Sequence, residues 1–501
     1  MAFGFSPYIQ LIPILSIESN MVVLINDGME KQKMRKHKVV IMGGGPAGLT
    51  AAYSLVQKGY EVILLEQEMQ VGGQSKTIHY NGYQFDLGGH RFLSAYDDVL
   101  SLVKNLLGEE LGTVPRKSSI LFDGRLIRYP LKLEDVLRKM KLSVSARAVI
   151  DYCWEKLKNM IKEGPEESFE GWTRKRFGKT LYDIYFGMYT EKVWGVSPKT
   201  ISADWARKRI TSVNLMEVMK SLIGLKKQQG VFECSEFYYP SQGIGRIYEK
   251  LAESVIAMGG TIHLGSKVSE ITLGQGGKIA SVGYERSGDH CETSGDWVVS
   301  TIPLPEFISA IRPAPSEKIQ QIARSLPNRC LRFVALLVDR SQITDNLWIH
   351  VPEKHIRFFR IQEFGNWSQK MAPEGKTVLL CEFACNKEDS LWNMEEERLK
   401  EICIQDLEKL GMINRAEVLE YRVEALEYGY PLYSLDYKEK LEILYDYLLS
   451  IPNIVAHGRQ GLYRYDTMDH AMKTGMIASA IVAGDLPRKE LIRTSEVTDQ
   501  Y

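Results

Sequence analysis

Apolar positions first become regular at Val39-Val40-Ile41-Met42, a short continuous run that ends on Gly43-Gly44-Gly45. Pro46-Ala47-Gly48-Leu49-Thr50-Ala51-Ala52 then reads as a helix, and Val62-Ile63-Leu64-Leu65 as a second strand stopping at Glu66. Short apolar runs punctuated by glycine suit parallel strands buried on both faces. Farther on, a helix predicted from Arg246 to Met258 ends at Gly259-Gly260, and Thr261 to Val268 alternates as a strand. The strand Trp297 to Thr301 is predicted to stop at Ile302-Pro303-Leu304-Pro305, where two prolines interrupt regular structure. Asn453 to Tyr465 reads as a strand and a Gly458-Arg459 turn, leading into a small-residue helix near Asp469. Two long insertions separate these three clusters. Residues 96–236 are charged, amphipathic and helix-like, whereas residues 306–450 mix strands (Leu331 to Val338, Val378 to Phe383) with a helix from Met394 to Leu410.

The first cluster has the mechanics of a dinucleotide-binding unit. Gly43 permits a tight turn, Gly45 lets backbone approach a pyrophosphate, and Gly48 lets the helix pack closely on its strand. Pro46 and Ala47 open the helix whose free N–H groups would face the phosphates. Glu66 sits where a carboxylate accepts hydrogen bonds from a ribose hydroxyl, and it would repel a 2′-phosphate, which argues against an NADP-type ligand. Two further glycine pairs follow, Gly72-Gly73-Gln74 and Gly88-Gly89-His90-Arg91. They allow backbone to run close to an extended ligand, so FAD is expected rather than NAD.

These motifs together resemble the flavoprotein superfamily of monoamine oxidases, protoporphyrinogen oxidase, carotenoid desaturases and UDP-galactopyranose mutase. The resemblance covers most of the chain from Lys38 onward. It implies an α/β fold: a discontinuous Rossmann-like FAD-binding domain (38–95, 237–305, 451–487) and a mixed α+β substrate-binding cap (96–236, 306–450). Residues 1–37 would be an extension, expected to be disordered, and 488–501 a tail. The resemblance also implies that Val268 gives its backbone to the adenine. The turn at Gly458 and Arg459 and the helix carrying Asp469 would close the flavin site, the helix N-terminus stabilising negative charge on the reduced ring.

Tyr185 to Gly195 resembles the Tyr-Thr-Glu-Lys-x-Trp-Gly segment of UDP-galactopyranose mutases, where such regions bind a nucleotide sugar with aromatics and arginines. With the regions Phe122 to Leu131 and Ser202 to Arg209, that resemblance makes Arg128, Tyr189, Trp194 and Arg207 candidate substrate residues, with Arg125 and Arg209 nearby. Tyr239, Tyr433, Tyr463 and Tyr465 are further candidates for substrate-facing aromatics near the ring. Arginine forks match phosphate oxygens, and flat rings offer apolar faces. The chain departs from the mutases at Ser300-Thr301-Ile302-Pro303-Leu304, where they carry a Thr-Gly-Pro-Ile-Asp-like segment. That stretch looks more like protoporphyrinogen oxidase, and Arg357, Arg360 or Arg464 would have to replace a lost phosphate anchor. Two reactions follow from the resemblance. One is hydride transfer from an organic substrate to flavin N5, with reoxidation by oxygen or another acceptor. The other is redox-neutral isomerisation of a nucleotide sugar; a non-catalytic flavin-binding protein is a third reading. His90, His470 and Arg464 are candidates for contacts to the ring or for proton relay.

Composition narrows the partners. At 501 residues the chain is long enough for two intimate domains. Lys plus Arg and Asp plus Glu are both 63, so no global field draws it to nucleic acid, and a small-molecule substrate is expected. Seven scattered cysteines, an odd number, argue against a disulfide framework and for a reducing, cytoplasmic setting. Cys381 and Cys385 read as buried strand thiols, with no metal expected. Met1 to Ile17 is uncharged, but Pro7 and Pro13 interrupt it and it falls short of the roughly 20 apolar residues that span a bilayer. An upstream start or an accessory anchor are the two alternatives for it.

Overall fold

The computed structural model describes residues 37–129, 142–161, 166–210 and 235–493. The expectations for residues 1–36 and 494–501 lie outside this part. Among the described residues no helix is long and apolar enough to cross a membrane.

Three dispersed segments build one five-stranded parallel sheet, in the order Ile454–Ala456, Trp297–Ser300, Lys38–Met42, Glu61–Leu65, Thr261–His263. Val39 to Met42 are fully buried at its centre, which explains their unbroken apolar run. The helix Pro46–Gln57 starts on proline, whose fixed φ suits a first turn. The helix Met468–Val482, from the third segment, lies against it. A second, seven-stranded sheet forms the cap. Its order is Val418–Pro431, Asn328–Val338, Thr377–Cys385, Arg360–Glu363, Trp348–His350, Ser118–Phe122, Arg125–Arg128. Cys381 and Cys385 are buried in its third strand.

The structure departs from the sequence reading at three places. Among the described residues, 96–236 hold the strands Leu111–Pro115, Ser118–Phe122 and Arg125–Arg128 besides their helices, and the last two join the cap sheet, so both insertions contribute to it. The two prolines after Thr301 do not stop regular structure. They start the helix Leu304–Ala310, with Pro303 as N-cap and Pro305 in the first turn, where no N–H is needed. The strand Ile311–Arg312 joins Ser266–Leu273 in a four-stranded sheet, past the boundary read at 305.

Asp86, at the end of the hairpin strand Tyr83–Asp86, ties two segments together. Its carboxylate accepts from Thr77 Oγ1 at 2.6 Å, Ile244 N at 3.2 Å and Tyr239 Oη at 2.7 Å. Burial outweighs these donors and pushes its pKa up to about 7. Folded Asp86 therefore binds a proton more tightly than unfolded Asp86. Its contribution to stability is full below its ordinary value of 3.8 and is lost as pH rises through about 7. The thermal unfolding midpoint is expected to fall across that window, and Asp86→Asn to flatten the fall. An unchanged slope in the variant would assign the pH dependence to other groups.

Candidate active site

Gly43 has φ of 101°, and a Cβ there would meet Thr301 Oγ1 at 2.3 Å. A Cβ on Gly48 would lie 1.9 Å from Gly43 O, so the loop packs on its own helix with no room for a side chain. Gly45 differs. A Cβ there would meet nothing nearer than Gly73 Cα at 3.9 Å, and both glycines face a cavity of about 1600 Å³. The chain's own packing does not require glycine at 45; a ligand crossing that gap would. Pro46 and Ala47 present the helix N-terminus to the same space. Glu66 is buried at its edge, accepting from Gly44 N at 2.6 Å and Glu68 N at 2.9 Å, and desolvation raises its pKa despite these bonds. Each carboxylate oxygen keeps a lone pair for a ribose hydroxyl. Val268 and Lys267 line the cavity beside it.

The middle of the cavity gathers Gln74, Gly89, His90, Arg91, Arg459 and Asp469. Gln74 Nε2 donates to Tyr428 O. Burial, with the fields of Arg360 and Arg459, pushes the His90 pKa down to about 3, so the ring is neutral. The Arg459 guanidinium stacks over Tyr465 at 4.3 Å and Tyr430 at 5.3 Å, and donates to Asp466 O and Gly429 O at 3.2 Å each. His90 Nδ1 and Arg459 Nε are buried with no partner among the described residues, although a buried polar atom is ordinarily satisfied. A polar ligand here would complete them. Asp469 stands in the first turn of Met468–Val482 and accepts from Thr467 Oγ1 at 2.6 Å. Gly458 does not line the cavity; at φ 77° it lets the turn approach Ala47, whose Cβ would lie 2.7 Å from an added Cβ.

Beyond His90 the cavity opens into an aromatic chamber. Tyr185, Tyr189, Trp194, Trp205, Trp348, Phe359, Tyr430 and Tyr465 form its walls, with Arg91, Arg116 and Arg360 among them. Tyr185 and Tyr189 stack at 5.9 Å and 16°. Arg360 is held by Glu382, Nε to Oε1 at 2.5 Å and Nη2 to Oε2 at 2.6 Å, and Glu382 is fully buried. Arg116 lies over Tyr129 and Trp348, and its buried Nε has no partner among the described residues.

Several sequence candidates lie elsewhere. Tyr239 is buried and donates to Asp86, so it serves the hub beneath the cavity. Tyr433 is stacked on Tyr437 at 4.3 Å, and its hydroxyl accepts from Tyr465 N at 2.7 Å. Tyr463 is buried against Leu432 and Pro327 carbonyls. Arg464 caps Leu491 O at 2.6 Å behind the site. Arg128 and Arg125 are exposed on an edge strand of the cap sheet. Arg207 pairs with Asp204 at 2.7 Å on the surface, Arg357 with Asp406 at 3.5 Å, and the Arg209 side chain lies outside the described part. His470 packs edge-on to Tyr96 and does not line the cavity. In the Tyr-Thr-Glu-Lys-Val-Trp-Gly segment Lys192 is structural. Its ammonium donates to Val351 O and Glu353 O, and burial lowers its pKa to about 7. Sequence reasoning missed Arg116, Trp348, His350, Phe359 and Tyr430, whose neighbours carry no motif.

Residues 46–482 match the family of flavin containing amine oxidoreductases, and the chain belongs to that family. Its cofactor is therefore FAD. The loop at Gly43 to Gly48, Glu66, Gly73 and the two unsatisfied atoms on His90 and Arg459 fit such a molecule. The chain is 25% identical over 172 residues to protoporphyrinogen oxidase 2, chloroplastic/mitochondrial, of Arabidopsis thaliana, covering 33% of this chain and 34% of that protein. It thus spans only about a third of that relative's length. Coproporphyrinogen III oxidase of Bacillus subtilis is 22% identical over 457 residues, 83% of this chain and 91% of that protein. A crystal structure of reduced UDP-galactopyranose mutase superposes with a TM-score of 0.80 at 24% identity, over 91% of this chain and 97% of that one. It shares the fold.

At position 45 an added Cβ meets no protein atom nearer than Gly73 Cα at 3.9 Å, and valine's methyls would extend from it into that gap. Gly45→Val is therefore expected to fold with a thermal midpoint near that of the apoprotein while losing FAD. A yellow variant would show that the loop does not cradle the pyrophosphate.

Proposed function

We propose that the protein is an FAD-dependent oxidoreductase that removes a hydride from a bulky organic substrate with a flat apolar body and an anionic edge. The observation that carries this reading is the chamber itself. Its walls are aromatic, Arg116 supplies a cation with no carboxylate partner among the described residues, and His90, His350, Tyr185 and Tyr189 are all held neutral. Such a surface orients a large substrate and excludes water. Bound FAD supplies the hydride acceptor. A cavity of about 1600 Å³ exceeds the roughly 300–1,000 Å³ of a pocket for one ligand, so it has room for cofactor and substrate together. The likeness to a coproporphyrinogen III oxidase across most of both chains supports a reduced, carboxylate-bearing macrocycle as the first substrate to test.

The second reading, isomerisation of a nucleotide sugar, draws support from the stacked pair Tyr185 and Tyr189 near cationic Arg116. Against it, Arg360 is neutralised by Glu382, and Arg128 and Arg207 do not line the chamber.

The test is anaerobic mixing of the oxidised holoprotein with coproporphyrinogen III. Loss of the visible flavin band is expected, with Arg116→Ala raising KM about tenfold or more through loss of a charge-assisted bond. Turnover of a UDP-hexose only after dithionite reduction, with no bleaching by the macrocycle, would favour the isomerase instead.

A further inference from the structure

In the strand Trp348–His350, Trp348 Nε1 donates to His350 Nε2 at 3.1 Å, and His350 Nδ1 lies 2.8 Å from Tyr189 Oη. An indole N–H can only donate. His350 Nε2 must therefore carry the lone pair, and the single proton of the neutral ring sits on Nδ1. An imidazolium would set N–H against N–H. Burial and the fields of Arg360, Arg116 and Arg91 also oppose it, pushing the pKa down to about 3. Nδ1–H thus donates to the Tyr189 oxygen, so the phenolic proton is not used by the histidine. No other hydrogen-bond partner for that hydroxyl is found among the described residues. Tyr189 lines the chamber from the helix Gly187–Trp194, and burial keeps its phenol protonated although Arg360 pulls the other way. Tyr129, edge-on to His350 at 5.1 Å, and Phe359, edge-on to Tyr189 at 6.3 Å, hold the rings in place.

We propose that Trp348 and His350 are positioning residues that make the Tyr189 hydroxyl an obligatory hydrogen-bond donor into the chamber. The site then selects substrates that present an acceptor, such as a carbonyl or carboxylate oxygen, beside Tyr189. The inference rests on the chamber being the substrate side of the site, and not on which reaction occurs there.

Two measurements test it on the holoprotein. In long-range proton–nitrogen spectra of histidine-labelled protein, with His350 assigned through His350→Gln, the neutral Nδ1–H tautomer is expected near neutral pH. Trp348→Phe should release the other tautomer. An Nε2–H tautomer or an imidazolium in the unmodified protein overturns the proposal. The second measurement titrates 2-naphthoate calorimetrically as an acceptor-bearing probe. Tyr189→Phe should weaken binding about tenfold. His350→Gln, whose amide can accept from Trp348 and donate to Tyr189, should stay within about twofold. FAD content and thermal midpoint should be unchanged in both variants. Equal affinity in the unmodified protein and Tyr189→Phe, including binding to neither, overturns the donor role. The tautomer spectrum needs no substrate, so it remains readable even where no oxidation is found.

Discussion

The close approach of the last long helix to the first one holds this site together. A Cβ on Gly475 would lie 2.5 Å from Ala47 O and 2.9 Å from Ala51 N, so Met468–Val482 rests directly on the backbone of Pro46–Gln57. Dispersion falls steeply with separation, and a side chain at 475 would force the helices apart. That contact sets the turn at Gly458 and Arg459 and the helix start at Asp469 beside the glycine loop, although they come from opposite ends of the chain.

The cap contributes a different kind of constraint. Arg360 and Glu382 lie on adjacent antiparallel strands and pair across them, with Gln362 donating to the same carboxylate. Burying two charges is tolerated only when both are paired and hydrogen-bonded. The pair therefore fixes the chamber wall more than it supplies a free cation. Burial, helped by the fields of Arg360 and Arg459, keeps His90 neutral. The chamber becomes a place where polar groups have fixed protonation states and fixed directions, which suits orientation of a substrate against a redox cofactor.

The cofactor end was readable because its mechanics are local. Gly43 and Gly48 pack within one strand–turn–helix–strand unit, so spacing alone predicts that neither has room for a side chain. The prolines at 303 and 305 misled because a proline that forbids helix interior is welcome in a helix first turn, and sequence position does not distinguish the two. The arginines misled for a related reason. Arg128, Arg207, Arg360 and Arg464 look equivalent in a motif. One lies on an exposed edge strand, one pairs on the surface, one is locked to Glu382 and one caps carbonyls.

The sequence by itself determined the α/β class, the family and with it the FAD cofactor, because glycine turns and buried parallel strands write their requirements into consecutive residues. Only the tertiary structure decided how the polar groups of the chamber pair and point. Trp348, His350 and Tyr189 meet because a strand of one insertion passes beneath a helix of the other, and such a meeting leaves no periodicity in either segment. A hydrogen bond between distant side chains depends on distance and direction in space, and spacing along the chain carries neither.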